Sequence, residues 1–285
     1  MLRYTCKFLQ KGPNMPLKVD LLVIDPQIDF CDPSDGTLYV DGAEQDMNRL
    51  ADMVSRISGK IDDIHATLDS HHLFDVAHPL FWRDRSGNNP NPFTIITRSE
   101  VLAGDWMPRP DLTQRMLDYL EKLELSGRYP LCIWPPHCLI GTPGHAVWGR
   151  LFDAFCSWEA DSLKWVDYVI KGSNPFTEHY SAVQAEVPDP EDDSTQFNAQ
   201  LINTLKKADI VAVAGEALSH CLANTVRDIA AAFGDESAIK KVVLLEDATS
   251  PIARPDGLYK KRGEEFVHDL IQKGMQVTTT DKFLV

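Results

Sequence analysis

The 285-residue chain is expected to fold as a three-layer αβα protein, an α/β class with a mostly parallel six-stranded sheet and helices on both faces. Two observations predict this. Six short runs of Val, Ile and Leu recur along the chain, each followed by polar or Pro/Gly residues and then a helical pattern. The runs are also nearly continuous in apolar residues, as strands buried on both faces of a parallel sheet are, and do not alternate as a half-wet sheet would.

In order, the expected strands are "VDLLVIDP" (19–26), "DDIHATLD" (62–69), "PLCIWPP" (130–136), "DYVIKG" (167–172), "DIVAVAGE" (209–216) and "KVVLLEDA" (241–248). Helices are expected around 43–58, 111–125, 146–156, 196–207, 219–233 and 258–273. The stretch 83–110 breaks the rhythm: it is rich in Asn, Pro and Gly and too long for an ordinary connection, so it is expected to be an excursion beside the active site. The acidic "EVPDPEDDSTQ" (186–196) reads as an exposed loop. No repeat or second domain boundary is visible. The expected organisation is an N-terminal arm at 1–16 and one domain at 17–285 with insertions near 83–128 and 184–197. The arm is weakly basic but lacks a continuous apolar stretch and a small-residue cleavage site, so it is not read as a signal peptide.

With 44% hydrophobic and 25% charged residues, the composition is that of an ordinary globular protein. Against 42 Asp and Glu stand only 28 Lys and Arg, a formal net charge of -14, which disfavours a nucleic-acid or anionic-membrane partner. No apolar run is long enough to span a bilayer. Cys6, Cys31, Cys132, Cys138, Cys156 and Cys221 follow no paired framework, which in a chain of this length points to a reducing, cytoplasmic setting.

Ligands of open parallel sheets bind outside the carboxyl ends of the strands. Just after the expected strands come Asp25, then Asp69 and His71, then Trp134 and His137, then Lys171, and finally Cys221. Each taken alone has an ordinary explanation: a turn-capping carboxylate, a satisfied histidine, a solvated lysine, a small buried thiol. Together they supply a nucleophile, an acid/base, a cation and metal ligands at one edge. Cys221 in "ALSHC" starts a helix, whose dipole is expected to lower the thiol pKa. Asp25 could take its proton, and Lys171 could hold both groups ionised.

Asp69 and His71 lie two apart on an extended chain and so point to one side, where a single cation could reach both. His78 lies on the following turn and His137 on the stiff "WPPHC" turn, with His72 as the fallback ligand. Carboxylate and imidazole ligands suit Zn, Mn or Fe. His65, His145, His179, His220 and His268 read as ordinary histidines, and Cys138 as structural.

In their order, "DPQIDF" (25–30), "LDSHH" with a following His, "WPPHCLIGTPG" (134–144), "KGSNPFTEHYSA" (171–182) and "ALSHC" (217–221) resemble the nicotinamidase branch of the isochorismatase-like cysteine hydrolases, from about residue 17 to about 247. The resemblance implies the isochorismatase-like hydrolase fold and a catalytic triad of Asp25, Lys171 and Cys221. It implies one divalent metal, Zn first and Mn or Fe as alternatives, on Asp69, His71 and His137, with His78 as a further ligand. Phe30 and Trp134 would sandwich a pyridine ring, and a cis Glu216–Ala217 peptide would precede an oxyanion hole formed by the N–H groups of Ala217 and Cys221. Glu216 stands where the family usually has an apolar residue; it would either alter substrate preference or bond to a neighbouring loop.

The expected function is metal-dependent hydrolysis of nicotinamide to nicotinic acid and ammonia through a thioester. A cysteine hydrolase acting on a larger carboxamide is the alternative, followed by a catalytically idle binding protein of the same fold. The expected partner is a small-molecule carboxamide, with homo-oligomers possible.

Overall fold

Every residue of Val19–Ile24 (β1) is buried, as its unbroken apolar run requires. The computed structural model describes residues 17–234, 238–253 and 257–285; the expected arm at 1–16 lies outside them. Around β1 the main sheet adds Asp63–Asp69 (β2), Asp167–Lys171 (β5), Ile210–Gly215 (β6), Val242–Leu245 (β7) and Gln276–Thr278 (β8). The strand order is β5-β2-β1-β6-β7-β8, and every pairing is parallel. From β1 the chain builds outward through β2 to β5, then returns to the other side of β1 with β6. The β1/β6 boundary is therefore the switch point, where connections leave in opposite directions and open a crevice at the carboxyl ends.

The helices are Ile28–Cys31 (α1), Ala43–Ile57 (α2), Arg98–Ala103 (α3), Thr113–Ser126 (α4), Gly149–Ser162 (α5), Ala199–Leu205 (α6), Ala223–Phe233 (α7) and Leu258–Lys273 (α8). Helix α2 packs on α5, while α7 meets α6 and α8, giving the two helical layers expected around such a sheet. No described helix is long and apolar enough to cross a membrane.

Six strands form the main sheet, but one expected member is not among them. Of 130–136 only Leu131–Cys132 (β4) is a strand, and it pairs antiparallel with Ile95–Ile96 (β3) in a separate two-stranded sheet. Pro130, Pro135 and Pro136 lack the N–H groups that a central parallel strand must donate. The sixth place belongs to β8, whose three residues carry a single apolar side chain, Val277, and so give almost no sequence signal. β5 is the sheet edge, and Tyr168 and Ile170 are exposed there, so this run is not buried on both faces as expected.

The 83–110 excursion holds β3 and α3, the latter begun by a reciprocal cap between Thr97 and Glu100. The acidic 186–196 stretch is more tightly held than an exposed loop. Asp189 and Asp192 both accept from the Asn174 side chain (3.0 and 2.9 Å), and Thr195 is fully buried.

At the switch point the backbones crowd. Gly215 has φ +108, and a Cβ there would lie 2.0 Å from the Ile24 carbonyl oxygen, so only glycine lets β6 leave the sheet beside β1.

Candidate active site

Three strand ends deliver one buried cluster. Asp69 and Lys171 are register partners on β2 and β5, and Lys171 Nζ donates to Asp69 Oδ1 at 2.9 Å. From the end of β1, Asp25 brings Oδ2 to 2.9 Å from the same ammonium. Asp25 holds φ +42, an uncommon conformation for a non-glycine residue, secured by its N–H on Thr67 Oγ1 (2.9 Å) and by the Thr67 hydroxyl donating back to its carboxylate. Beyond β6 the chain forms a π-helical turn, Leu218–Leu222, which places Cys221 Sγ 3.6 Å from Lys171 Nζ. The His179 carbonyl accepts from Lys171 at 3.1 Å. All four side chains are buried.

Burial by itself lowers the Lys171 pKa, but Asp25, Asp69 and Cys221 around it raise it well above the usual value, so the ammonium is permanent. Burial pushes the Asp25 carboxyl up and the Asp69 charge adds to this, against Lys171 and Thr67. The expected thiolate at a helix start is not what the structure holds. Burial drives the Cys221 thiol well above its usual value; Lys171 opposes this, while Asp25 and Asp69 add to it. The helix-end effect is small beside desolvation of a fully buried thiol. The Cys221 thiol is therefore held as S–H, with its sulfur within 4.8 Å of an Asp25 carboxylate oxygen.

Adjacent to this cluster, ligand atoms of Asp69, His71 and His137 lie within 4.8 Å of one another. Asp69 Oδ2 is 3.1 Å from His71 Nε2 and 3.5 Å from His137 Nε2. The extended pair Asp69/His71 thus points to one side, as its spacing implied. His137 arrives although its run is not a main-sheet strand, because the turn is stitched to the end of β2. The His71 N–H donates to Cys138 O (3.1 Å), and Ile140 N–H donates to His71 O (3.0 Å). Cys138 is buried with its N–H on Asp29 Oδ2 (2.6 Å), which makes it structural.

The His78 ring lies 5.2 Å from that of His71 and 5.5 Å from that of His137. His72 is exposed, and its contribution is a carbonyl, not a ring.

A metal fits these residues on a chemical test. His71 Nδ1 faces Asp75 Oδ2 (3.1 Å), His78 Nδ1 faces the His72 carbonyl (3.0 Å), and His137 Nδ1 faces the Pro135 carbonyl (2.9 Å). Each partner only accepts, so each Nδ1 carries a proton there and Nε2 is the atom left to meet a cation. Buried Nε2 atoms of His71 and His78 have no hydrogen-bond partner among the described residues. Ligand atoms of Asp25, Asp69 and Cys221 also lie within 4.8 Å of one another, but that group already surrounds a cation, Lys171. Gly172, at φ +81, leaves space for Asp69: a Cβ there would sit 2.8 Å from its carboxylate.

Phe30, Trp134, His137, Ala217 and Cys221 line one cavity with Leu38, Asp69, Glu178, Tyr180, His220 and Ile252; its atom-free space, mouth included, is 330 Å³. The structure thus brings Phe30, Asp69, Trp134, His137, Ala217 and Cys221 to one cavity, with Asp25, His71, His78 and Lys171 just behind the wall, and leaves His72 and Glu216 outside it. Glu216–Ala217 is cis, and the Ala217 N–H has no hydrogen-bond partner among the described residues. Glu216 turns to a neighbouring loop and accepts from Ser250 N–H at 3.0 Å; it does not line the cavity.

Several contributors escaped the sequence reading. Gln27 pairs with the Asp69 backbone as a strand would, accepting its N–H and donating to its C=O (2.7 Å each). Asp75 orients His71, while Glu178, Tyr180 and His220 form cavity wall. Gln27, Tyr180 and His220 stand inside the quoted motifs, and Asp75 lies four residues after His71, but their roles depend on contacts across the fold.

No family model matches the chain, and no curated protein matches it by sequence. Solved structures do. The yeast nicotinamidase bound to the inhibitor nicotinaldehyde is 21% identical, with 92% of this chain and 99% of that one covered at a TM-score of 0.62. A nicotinamidase/pyrazinamidase of Acinetobacter baumanii is 20% identical over 96% of this chain and 100% of that one, at 0.59. A pyrazinamidase of Pyrococcus horikoshii in complex with zinc is 20% identical over 92% and 99%, at 0.54. At these identities the likeness is one of fold: the chain has the α/β architecture that these proteins share.

Proposed function

We propose that this protein is a metal-dependent cysteine amidohydrolase, and that its substrate is nicotinamide, hydrolysed to nicotinic acid and ammonia. The observation that carries the reading is a buried Lys171 ammonium 2.9 Å from both Asp25 and Asp69 and 3.6 Å from the Cys221 sulfur. A scaffold has no use for that arrangement, which costs desolvation of an ammonium and two carboxylates. The zinc-bound pyrazinamidase of the same fold and the Asp69/His71/His137 set support a divalent metal, with zinc as the proposed ion. Five described cysteines are free thiols, in keeping with a cytoplasmic setting.

Asp25 takes the Cys221 proton as the carboxamide docks, and Lys171 stabilises the thiolate so formed. The sulfur attacks the amide carbon; the oxyanion is met by the N–H groups of Ala217 and Cys221. The C–N bond then breaks with Asp25 returning the proton, so that ammonia leaves and a thioester remains. Water enters next: Asp25 removes its proton, the hydroxide oxygen adds to the acyl carbon, the C–S bond breaks and the thiol regains a proton. Asp69, His71 and His137, with His78, would hold a divalent ion, which would supply Lewis acidity toward a ring nitrogen and so orient the substrate. Phe30 and Trp134 offer aromatic faces to the ring. The cavity is narrow, with only about 20 Å³ open to the centre of a water-sized sphere, which weighs against a larger carboxamide.

Ammonia release from nicotinamide by the wild type and by Cys221→Ala tests the reading. A silent wild type with full metal content refutes the substrate. If a carboxamide panel is also silent and iodoacetamide shows no preference for Cys221, the enzyme reading falls.

A further inference from the structure

Outside the cavity lining, the turn that carries Ala217 and Cys221 rests on buried polar groups that the reaction above does not use. Ser250 bridges them. Its N–H donates to Glu216 Oε2 (3.0 Å), its carbonyl accepts from Leu218 N–H (2.9 Å), and its hydroxyl donates to Asp46 Oδ2 (2.6 Å). The turn is thus gripped on both sides of Ala217 and fastened to α2, which also holds Asp46 through Arg49. Glu216 and Asp46 are fully or almost fully buried.

The two buried carboxyl groups are tied to one residue: Glu216 Oε2 accepts from the Ser250 N–H and Asp46 Oδ2 from the Ser250 hydroxyl. Burial, and then the Asp46 charge, raise the Glu216 pKa well above its usual value. Burial raises the Asp46 carboxyl as well, against Ser250 and Arg49. The ionisable neighbours of Glu216 are Asp46 and Arg49 from α2 and Cys31 from α1. In this arrangement Glu216 Oε2 accepts from the Ser250 N–H while the Ser250 hydroxyl donates to Asp46. An apolar side chain would leave the Ser250 N–H without its acceptor.

We propose that Glu216 is a positioning residue: through Ser250, which is itself tied to Leu218 and to Asp46 of α2, its carboxyl group holds the 216–221 turn so that the Ala217 N–H and the Cys221 sulfur face the carboxamide together. The inference rests on the amidohydrolase reading. An oxyanion donor matters only in the transition state, so loosening it lowers kcat and spares KM, whose ring contacts lie elsewhere.

The test compares Glu216→Gln with Glu216→Leu. The glutamine amide keeps an oxygen that can accept from the Ser250 N–H; leucine has none. A misplacement of about 1 Å costs roughly 10²-fold, so Glu216→Leu is expected to lose about 10- to 100-fold in kcat with KM within about 2-fold, while Glu216→Gln stays within about 2-fold of wild type. Wild-type kcat in Glu216→Leu, equal losses in both variants, or a loss confined to KM overturns the proposal. Should Glu216→Leu fail to fold, Ser250→Ala, which cuts only the hydroxyl link to Asp46, is expected to lower kcat several-fold at constant KM; unchanged kcat overturns the proposal.

If the wild type releases no ammonia, the amidohydrolase reading fails on its own, and iodoacetamide labelling of Cys221 decides about Glu216. Matching rates in wild type and Glu216→Gln with an altered rate in Glu216→Leu support the positioning role. Equal rates in all three overturn it.

Discussion

Lys171→Met removes the ammonium at the centre of the site while keeping a flexible chain of similar length. The residue is 2% exposed and is the shared partner of Asp25 and Asp69, each 2.9 Å away. Asp69 keeps His71 and His137, but Asp25 keeps only Thr67. The variant therefore buries a carboxylate with no cation, and breaking a buried pair in this way costs about 3–5 kcal/mol. For a domain of this size each kcal/mol is about 2–4 °C in Tm, so a fall of roughly 6–20 °C is expected at pH 7.5.

The loss must depend on pH. Without Lys171 the already raised folded pKa of Asp25 climbs further above its unfolded value. A raised carboxyl destabilises the fold where the unfolded state is ionised, and the penalty fades as pH falls toward the unfolded carboxylate pKa. Thermal melts of metal-free wild type and variant at pH 7.5 and pH 5 check both points. A variant that melts within about 1 kcal/mol of wild type at pH 7.5, or a gap that does not narrow at pH 5, refutes the claim that Lys171 neutralises Asp25.

Further outcomes follow from other parts of the structure. Cys221→Ala should lower amide hydrolysis by at least about 10³-fold with little change in Tm, measured as ammonia release. Asp75→Asn should weaken metal binding about 10- to 100-fold, because the Asp75 carboxylate orients His71; competition against a chromophoric chelator reads this directly.

Burial lowers the pKa of His65, at the opposite end of the sheet, yet the hydrogen bond to Asp167 (2.8 Å) and the Asp20 carboxylate 3.8 Å away raise it to about 9. Its stabilisation should be complete below pH 6.5 and lost as pH rises through about 9, so the Tm gap between wild type and His65→Gln should close on that side. Gly215→Ala places a methyl 2.0 Å from the Ile24 carbonyl and should abolish folding or cost several kcal/mol, seen by circular dichroism and chemical denaturation.

The sequence was most legible where one residue type serves one local demand. Apolar runs at 19–24 and 210–215 read as central strands because both faces of each are covered. Asp69 and His71 read as one cation's ligands because an extended chain sends alternate residues to one side. It was least legible where pairing is nonlocal. β8 has three residues and one apolar side chain, and it exists because β7 offers an edge; the 130–136 run looks as apolar as a strand, but its prolines exclude it from the sheet.

By itself, then, the sequence determined the α/β class and the candidate groups, since periodicity and the order of reactive residues after the strands are written along the chain. Tertiary structure decided what those groups do to one another. Only the fold shows that burial outweighs the helix end at Cys221, that Asp25 and Asp69 share one ammonium, and that Glu216 faces Asp46 and Ser250 and not the pocket. The reason is physical: desolvation and Coulomb interaction depend on what surrounds a charge within a few ångströms, and those neighbours come from segments more than a hundred residues apart in sequence, as Asp69 and Lys171 do across 102.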